Sequence, residues 1–137
     1  MKKSAVFLLL TFSLFFSSCK KYVQQQEQDA ALNLITNGTW MVQQFLQSGA
    51  NITASFSGYV FQFKSDGTVV GTLGSTSVTG TWAADINNRT ITSNFPAGSG
   101  ILDNLDGVWK ITDSSVTYVV ANTSVGAGVN NLRLQKN

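Results

Sequence analysis

The stretch Tyr59-Val60-Phe61-Gln62-Phe63-Lys64-Ser65-Asp66-Gly67-Thr68-Val69-Val70-Gly71 decides the fold. Tyr59, Phe61 and Phe63 fall on one side of an alternating run, with Val60, Gln62 and Lys64 on the other. That is the period of a strand with one buried face. Ser65-Asp66-Gly67-Thr68 then predicts a tight hairpin, because Gly67 adopts the positive φ that such a turn needs. Residues 68–73 form the return strand, with Val69, Gly71 and Leu73 inward.

The same grammar extends in both directions. Gly74-Ser75 turns the chain into residues 76–84, where Val78, Gly80 and Trp82 share the inner face. Asp85 to Asn88 form a turn, and residues 89–95 a strand with Ile91, Ser93 and Phe95 inward. Pro96 to Gly100 break the pattern, and residues 101–106 form one helical turn. Residues 108–112 place Trp109 and Ile111 inward. The next strand alternates Val116, Tyr118 and Val120, and the last, residues 131–135, points Leu132 and Leu134 in and Arg133 out. With residues 40–46 as the first, which brings Gln44 inward, eight short strands result. In sequence order with tight turns they predict an all-β, eight-stranded antiparallel up-and-down barrel, since closure removes aggregation-prone edges. Alternation alone also permits a β-sandwich.

The first residues obey different rules. Lys2 and Lys3 precede an apolar run over residues 5–16, too short for a bilayer span of roughly 20 residues but suited to a signal peptide. Ser17-Ser18-Cys19 follow, and Cys19 is the only cysteine, so no intramolecular disulfide can form. Phe16-Ser17-Ser18-Cys19 resembles the lipobox of bacterial lipoproteins, with Phe16 where Leu is usual. The resemblance implies a leader over residues 1–18, cleavage before Cys19, acylation of its thiol and attachment to a membrane through that lipid. Residues 19–30 then read as a polar tether. A short helix with Ala31, Leu34 and Ile35 on one face, ended by Asn37-Gly38, opens a barrel domain over residues 31–137.

Charge narrows the function. The full chain carries nine Lys and Arg against seven acids, and loss of Lys2 and Lys3 with the leader leaves seven against seven. No basic stripe remains to neutralise phosphates, so nucleic acid is not an expected partner. The chain has no His, which excludes Ser-His-Asp and Cys-His nucleophile pairs and His-ligated metals. Gly71-Thr72-Leu73-Gly74 lacks the Lys and following helix of a phosphate loop. Asp103 and Asp106 are spaced i, i+3 as a carboxylate pair or calcium ligands could be, but read more simply as turn acids. Asp85-Ile86-Asn87-Asn88 lacks the later Gly and Glu of a calcium loop and reads as an Asx turn. No cofactor, metal or catalytic residue is expected.

Gly38-Thr39-Trp40 after a short helix resembles the Gly-x-Trp start of lipocalins. The stretches YVFQFKSDGTVVG, TGTW and GVWKIT are similar to small lipocalin-like lipoproteins of Bacteroidetes-type bacteria, over roughly residues 34–136. That resemblance implies a barrel whose first long loop, residues 47–58 with Ile52 and Phe56, covers the open end. It also implies an arginine packed on Trp40. Arg133 is the candidate by position, although alternation turns it outward.

The inward aromatics Tyr59, Phe61, Trp109 and Tyr118 are the candidate ligand-binding residues, with Gln44, Ser93 and Tyr118 as orienting polar groups. Two functions follow: a lipid-anchored envelope protein binding a small apolar or amphipathic ligand, or a filled-core structural or protein-interaction module. The protein partner is not legible. Lys20-Lys21 after Cys19, without a run of acids, points to the periplasmic face of the outer membrane.

Overall fold

The computed structural model describes residues 16–137; residues 1–15 of the expected leader, which spans residues 1–18, lie outside it, as do the side chains of residues 16–20, Cys19 among them, and of residue 125. The chain divides after Ala31, and the unit that follows, Leu32–Asn137, holds every strand. A helix α1, Phe16–Thr36, runs through the segment expected to be a tether. Its Lys, Gln, Glu and Ala are helix formers with no interior Gly or Pro, and residues 21–30 are exposed throughout. α1 stops at the expected place: the Asn37 N–H donates to Asn33 O at 3.0 Å, and Gly38 follows at φ +92°. No helix among the described residues is long and apolar enough to cross a membrane.

The strands are β1 (Trp40–Gln47), β2 (Ala50–Asn51), β3 (Tyr59–Phe63), β4 (Thr68–Leu73), β5 (Thr76–Asp85), β6 (Thr90–Asn94), β7 (Gly107–Ser114), β8 (Tyr118–Val125) and β9 (Gly128–Lys136). From β3 onward each pairs antiparallel with its successor, and β1 closes the ring on β9 from Trp40↔Lys136 to Gln47↔Asn130. The eight expected strands therefore form a closed barrel rather than a sandwich. The two-residue β2 is an addition that doubles back on the end of β1. The β1–β3 seam is narrow, with Trp40↔Phe61 as its single register pair.

The deciding hairpin forms as read. Lys64 N–H donates to Thr68 O at 2.8 Å, Gly67 takes φ +86°, and Asp66 Oδ1 accepts from Thr68 N and Oγ1 at 2.9 and 2.6 Å. These Thr68 bonds, side chain first, hold the Asp66 carboxyl below its ordinary value. Gly80 on β5 is needed for a different reason: a Cβ there would lie 2.5 Å from Asn94 O of β6 and 3.0 Å from the Phe95 ring.

Two bulges set the side-chain directions. The β1 register shifts between Val42 and Gln44, so Phe45 turns inward and Gln44, expected inside, is exposed. The β7 register shifts between Ile111 and Asp113. The turn at residues 115–117 then absorbs Val116, which is 68% exposed, and β8 begins at Tyr118. Val119 and Ala121 face the core, and Tyr118 and Val120 do not. A one-residue slip exchanges the two faces of a strand.

Candidate functional site

The barrel has a near end, where the chain arrives from residues 32–36, and a far end, where β1 finishes and β3 begins. At the near end Trp40 is the floor. Its Nε1–H donates to Ile35 O at 2.9 Å, which ties the last helical turn beneath the ring. The cation on the Trp40 ring is Lys136, 5.4 Å from the centroid, with Nζ donating to Leu34 O at 3.1 Å. Arg133 points outward, as alternation requires. Trp82 and Phe63 pack edge to face above this floor, centroids 5.3 Å apart.

The far end is closed from two sides. The 3-10 turn Thr53–Phe56 lays Phe56, 2% exposed, against Phe45 at 5.2 Å between centroids. Phe45 in turn meets the edge of Trp109 at 5.8 Å, so an aromatic column runs from loop to core. The loop is pinned to β1: Ile52 N–H donates to Phe45 O at 3.0 Å, and Phe45 N–H to Thr53 Oγ1 at 2.9 Å. The second plug is the 3-10 turn Gly100–Leu105, which buries Leu102 and Leu105. Leu105 O accepts from Trp109 Nε1 at 2.8 Å and from the Ser93 hydroxyl. Gln47 Nε2, at the end of β1, donates to Asn104 Oδ1 at 2.8 Å and ties the second plug to that strand.

The interior holds an apolar cavity of about 50 Å³, walled by Phe61, Phe63, Trp109, Val119, Leu132 and Leu134 among others. Its apolar walls suit burial of hydrocarbon, but a drug-sized ligand needs roughly 300 Å³ or more. Of the expected binding residues, Phe61 and Trp109 line this space. Tyr59 is half-buried and stacks on Phe61 at 5.9 Å without reaching it. Ser93 is buried and lines it too, but its hydroxyl is committed to Leu105 O.

Tyr118 is a correction. It lies on the outer wall, its ring 4.1 Å below the Arg133 guanidinium and its hydroxyl donating to Asp113 Oδ2 at 3.0 Å. That hydrogen bond, and then the Asp113 charge, push the Tyr118 pKa above its ordinary value. Arg133 Nε also donates to Gln43 Oε1. The core positions Val119, Ala121 and Phe45 were hidden by the bulges, whose residues carry no distinctive sequence signal.

The acids behave as turn residues. Asp103 Oδ1 accepts from Ser99 N at 3.0 Å, and Asp106 Oδ1 from Phe95 N at 2.6 Å. Asp85 accepts from the Asn88 backbone and side chain at 3.0 and 2.7 Å, which lowers its pKa. No group of three potential metal ligands converges among the described residues.

No family model matches the chain, and no curated protein does. Solved structures do. A DUF4847 family protein from Bacteroides vulgatus superposes with a TM-score of 0.56 at 19% identity, covering 78% of this chain and 97% of that one. A lipocalin-like protein from Bacteroides uniformis gives 0.52 at 13% identity, over 74% and 98%. An uncharacterized protein from Bacteroides eggerthii gives 0.52 at 10%, over 73% and 98%. At such identities the likeness is one of fold, and the fold is lipocalin-like.

Proposed function

We propose that this chain is a lipid-anchored envelope protein whose barrel works through its outer surface, as a structural or protein-interaction module of the outer membrane, and not as an enzyme. The observation that carries this reading is the interior space of about 50 Å³, against the roughly 300 Å³ of a small-molecule pocket. Anchoring rests on the order Lys2-Lys3, apolar run, Ser17-Ser18-Cys19, and the periplasmic face on Lys20-Lys21 without following acids. Several acyl chains, at about 0.8 kcal/mol per buried methylene, suffice to hold a protein on a bilayer. Cys19→Ala should then release the protein from membranes. Retention after an alkaline wash would defeat the anchor assignment.

A second reading keeps the barrel as a carrier of a small apolar ligand. The apolar chamber favours it, because its walls are almost wholly hydrocarbon and aromatic side chains. Titration of an environment-sensitive apolar dye, then fatty acids and retinoid-like molecules, decides between the two. The module reading expects no saturable binding, and the carrier reading expects binding that tightens in Phe56→Ala.

A further inference from the structure

The joint between α1 and β1 is held by bonds to the last helical carbonyls. Leu32 O accepts from the Thr36 hydroxyl at 2.9 Å, and Asn33 O from the Asn37 N–H at 3.0 Å. Leu34 O accepts from the Lys136 ammonium at 3.1 Å, and Ile35 O from the Trp40 indole at 2.9 Å. The helix end is thus capped by the side chains that form the barrel floor. Asn37-Gly38 lies inside this joint, and both residues are exposed. Among the described residues, no hydrogen bond engages the Asn37 side-chain amide or the Gly38 N–H.

Asn37 is the only asparagine of the chain that glycine follows. The nitrogen of a following residue can close a five-membered ring on the asparagine side-chain carbon. Glycine, without Cβ, opposes that closure least. The position also keeps its glycine, because Gly38 stands at φ +92°, where other residues are strained. The two Asp-Gly pairs of the chain are held differently. Thr68 binds the Asp66 carboxyl, and the Gly67 N–H donates to Lys64 O at 3.1 Å. The Phe95 N–H binds the Asp106 carboxyl ahead of Gly107.

We infer that Asn37-Gly38 is a self-modifying site at which the chain deamidates, and that the conversion loosens the barrel floor. The Gly38 nitrogen gives up its proton and bonds to Asn37 Cγ. The Cγ–Nδ2 bond breaks, the side-chain nitrogen leaves as ammonia, and a cyclic imide closes. Water opens the ring, its hydroxyl going to a ring carbonyl carbon and its proton to the Gly38 nitrogen. Opening at Cγ leaves aspartate at position 37. Opening at the main-chain carbonyl leaves isoaspartate, whose chain runs through Cβ and Cγ. In sum, an amide and water become a carboxylate and ammonium. Both products act against the joint. A carboxylate there meets the negative end of the α1 dipole. It also draws on Lys136, whose Cε lies 3.1 Å from where a Gly38 Cβ would stand. Isoaspartate lengthens the main chain between the Asn37 bond to Asn33 O and the Trp40 bond to Ile35 O.

The test uses the full chain in detergent micelles, incubated at mildly alkaline pH. Peptide mass spectrometry that separates aspartate from isoaspartate follows every asparagine, and released ammonia is assayed in parallel. Position 37 should convert first, with one ammonia per converted chain. In the converted protein the Trp40 indole N–H, followed by NMR, should exchange with solvent about tenfold faster or more. The Trp82 indole, which donates to Lys64 O away from the joint, should keep its rate. Asn37→Gln should block the conversion and the loosening together, since its longer side chain closes a larger ring. Asn37→Asp should speed Trp40 exchange from the outset. If a variant fails to fold, the unaltered chain before and after incubation still decides. Another asparagine converting ahead of Asn37, or unchanged Trp40 exchange in fully converted protein, would overturn the inference. So would the same loosening in incubated Asn37→Gln. The dye titration does not bear on this site, so the module reading and this inference fail independently.

Discussion

Replacing Trp82 by Ala probes the interior most simply. The indole is 7% exposed, stands edge-on to Phe63 at 80°, and donates from Nε1 to Lys64 O at 2.8 Å. Burying an aromatic side chain of this kind removes roughly 150–250 Å² from water. At about 25 cal/mol per Å² that amounts to about 4–6 kcal/mol. The unfolded chain already hides part of this surface, and neighbours relax only partly into the hole, so the expected loss is about 3–5 kcal/mol. Trp82→Phe separates the terms. It keeps much of the contact with Phe63 but removes the N–H donor together with part of the ring, while Lys64 O retains the Gly67 N–H at 3.1 Å. Its cost should be about 1–2 kcal/mol. Chemical denaturation followed by circular dichroism measures both. A loss below about 1 kcal/mol for Trp82→Ala would mean that the indole faces solvent and that the register of β5 is wrong.

Gly80→Ala should destabilise by about 1–3 kcal/mol or more, because the new Cβ meets Asn94 O at 2.5 Å; an unchanged midpoint would refute the β5–β6 register. The depressed Asp66 pKa means that its contribution is present above the unfolded carboxyl value and is lost as pH falls through the folded one. Stability should therefore drop in acid in the parent chain, and Asp66→Asn should flatten that drop; parallel acid profiles would exclude the Asp66–Thr68 turn bonds. For Tyr118 the sign is opposite: a raised folded pKa gives stability present below the unfolded value near 10 and lost as pH rises through the folded one. Tyr118→Phe should remove that alkaline loss and leave any dye binding unchanged, whereas altered dye affinity would return the side chain to the interior.

Strand alternation carried most of the barrel, because each strand buries one face and leaves the other wet. Tyr59–Phe63, Thr76–Asp85 and Thr90–Asn94 show it plainly, and the Asp66-Gly67 turn fixes the hairpin between Tyr59–Phe63 and Thr68–Leu73. Legibility failed where a strand counts an extra residue. The bulge between Ile111 and Asp113 and the turn at residues 115–117 moved Tyr118 to the outer wall, and the bulge between Val42 and Gln44 exchanged Gln44 for Phe45. Neither bulge is marked by Gly or Pro. The arginine expected on Trp40 is absent: Lys136 takes that place because it lies opposite Trp40 in the closing pair. The interior volume was not legible at all. It depends on how far Phe56, Leu102 and Leu105 reach inward, and loop composition does not state this.

The filled interior is tested most directly by what leaves it. The full chain is purified, denatured and extracted with organic solvent, and the extract is quantified by mass spectrometry against protein. Acyl groups joined covalently at Cys19 stay with the polypeptide. With about 50 Å³ inside the barrel, no apolar molecule should accompany the protein in molar proportion. One lipid or other hydrocarbon ligand per chain, lost on replacing Phe61 by a larger Trp in a chain that still folds, would contradict the account and make the barrel a carrier.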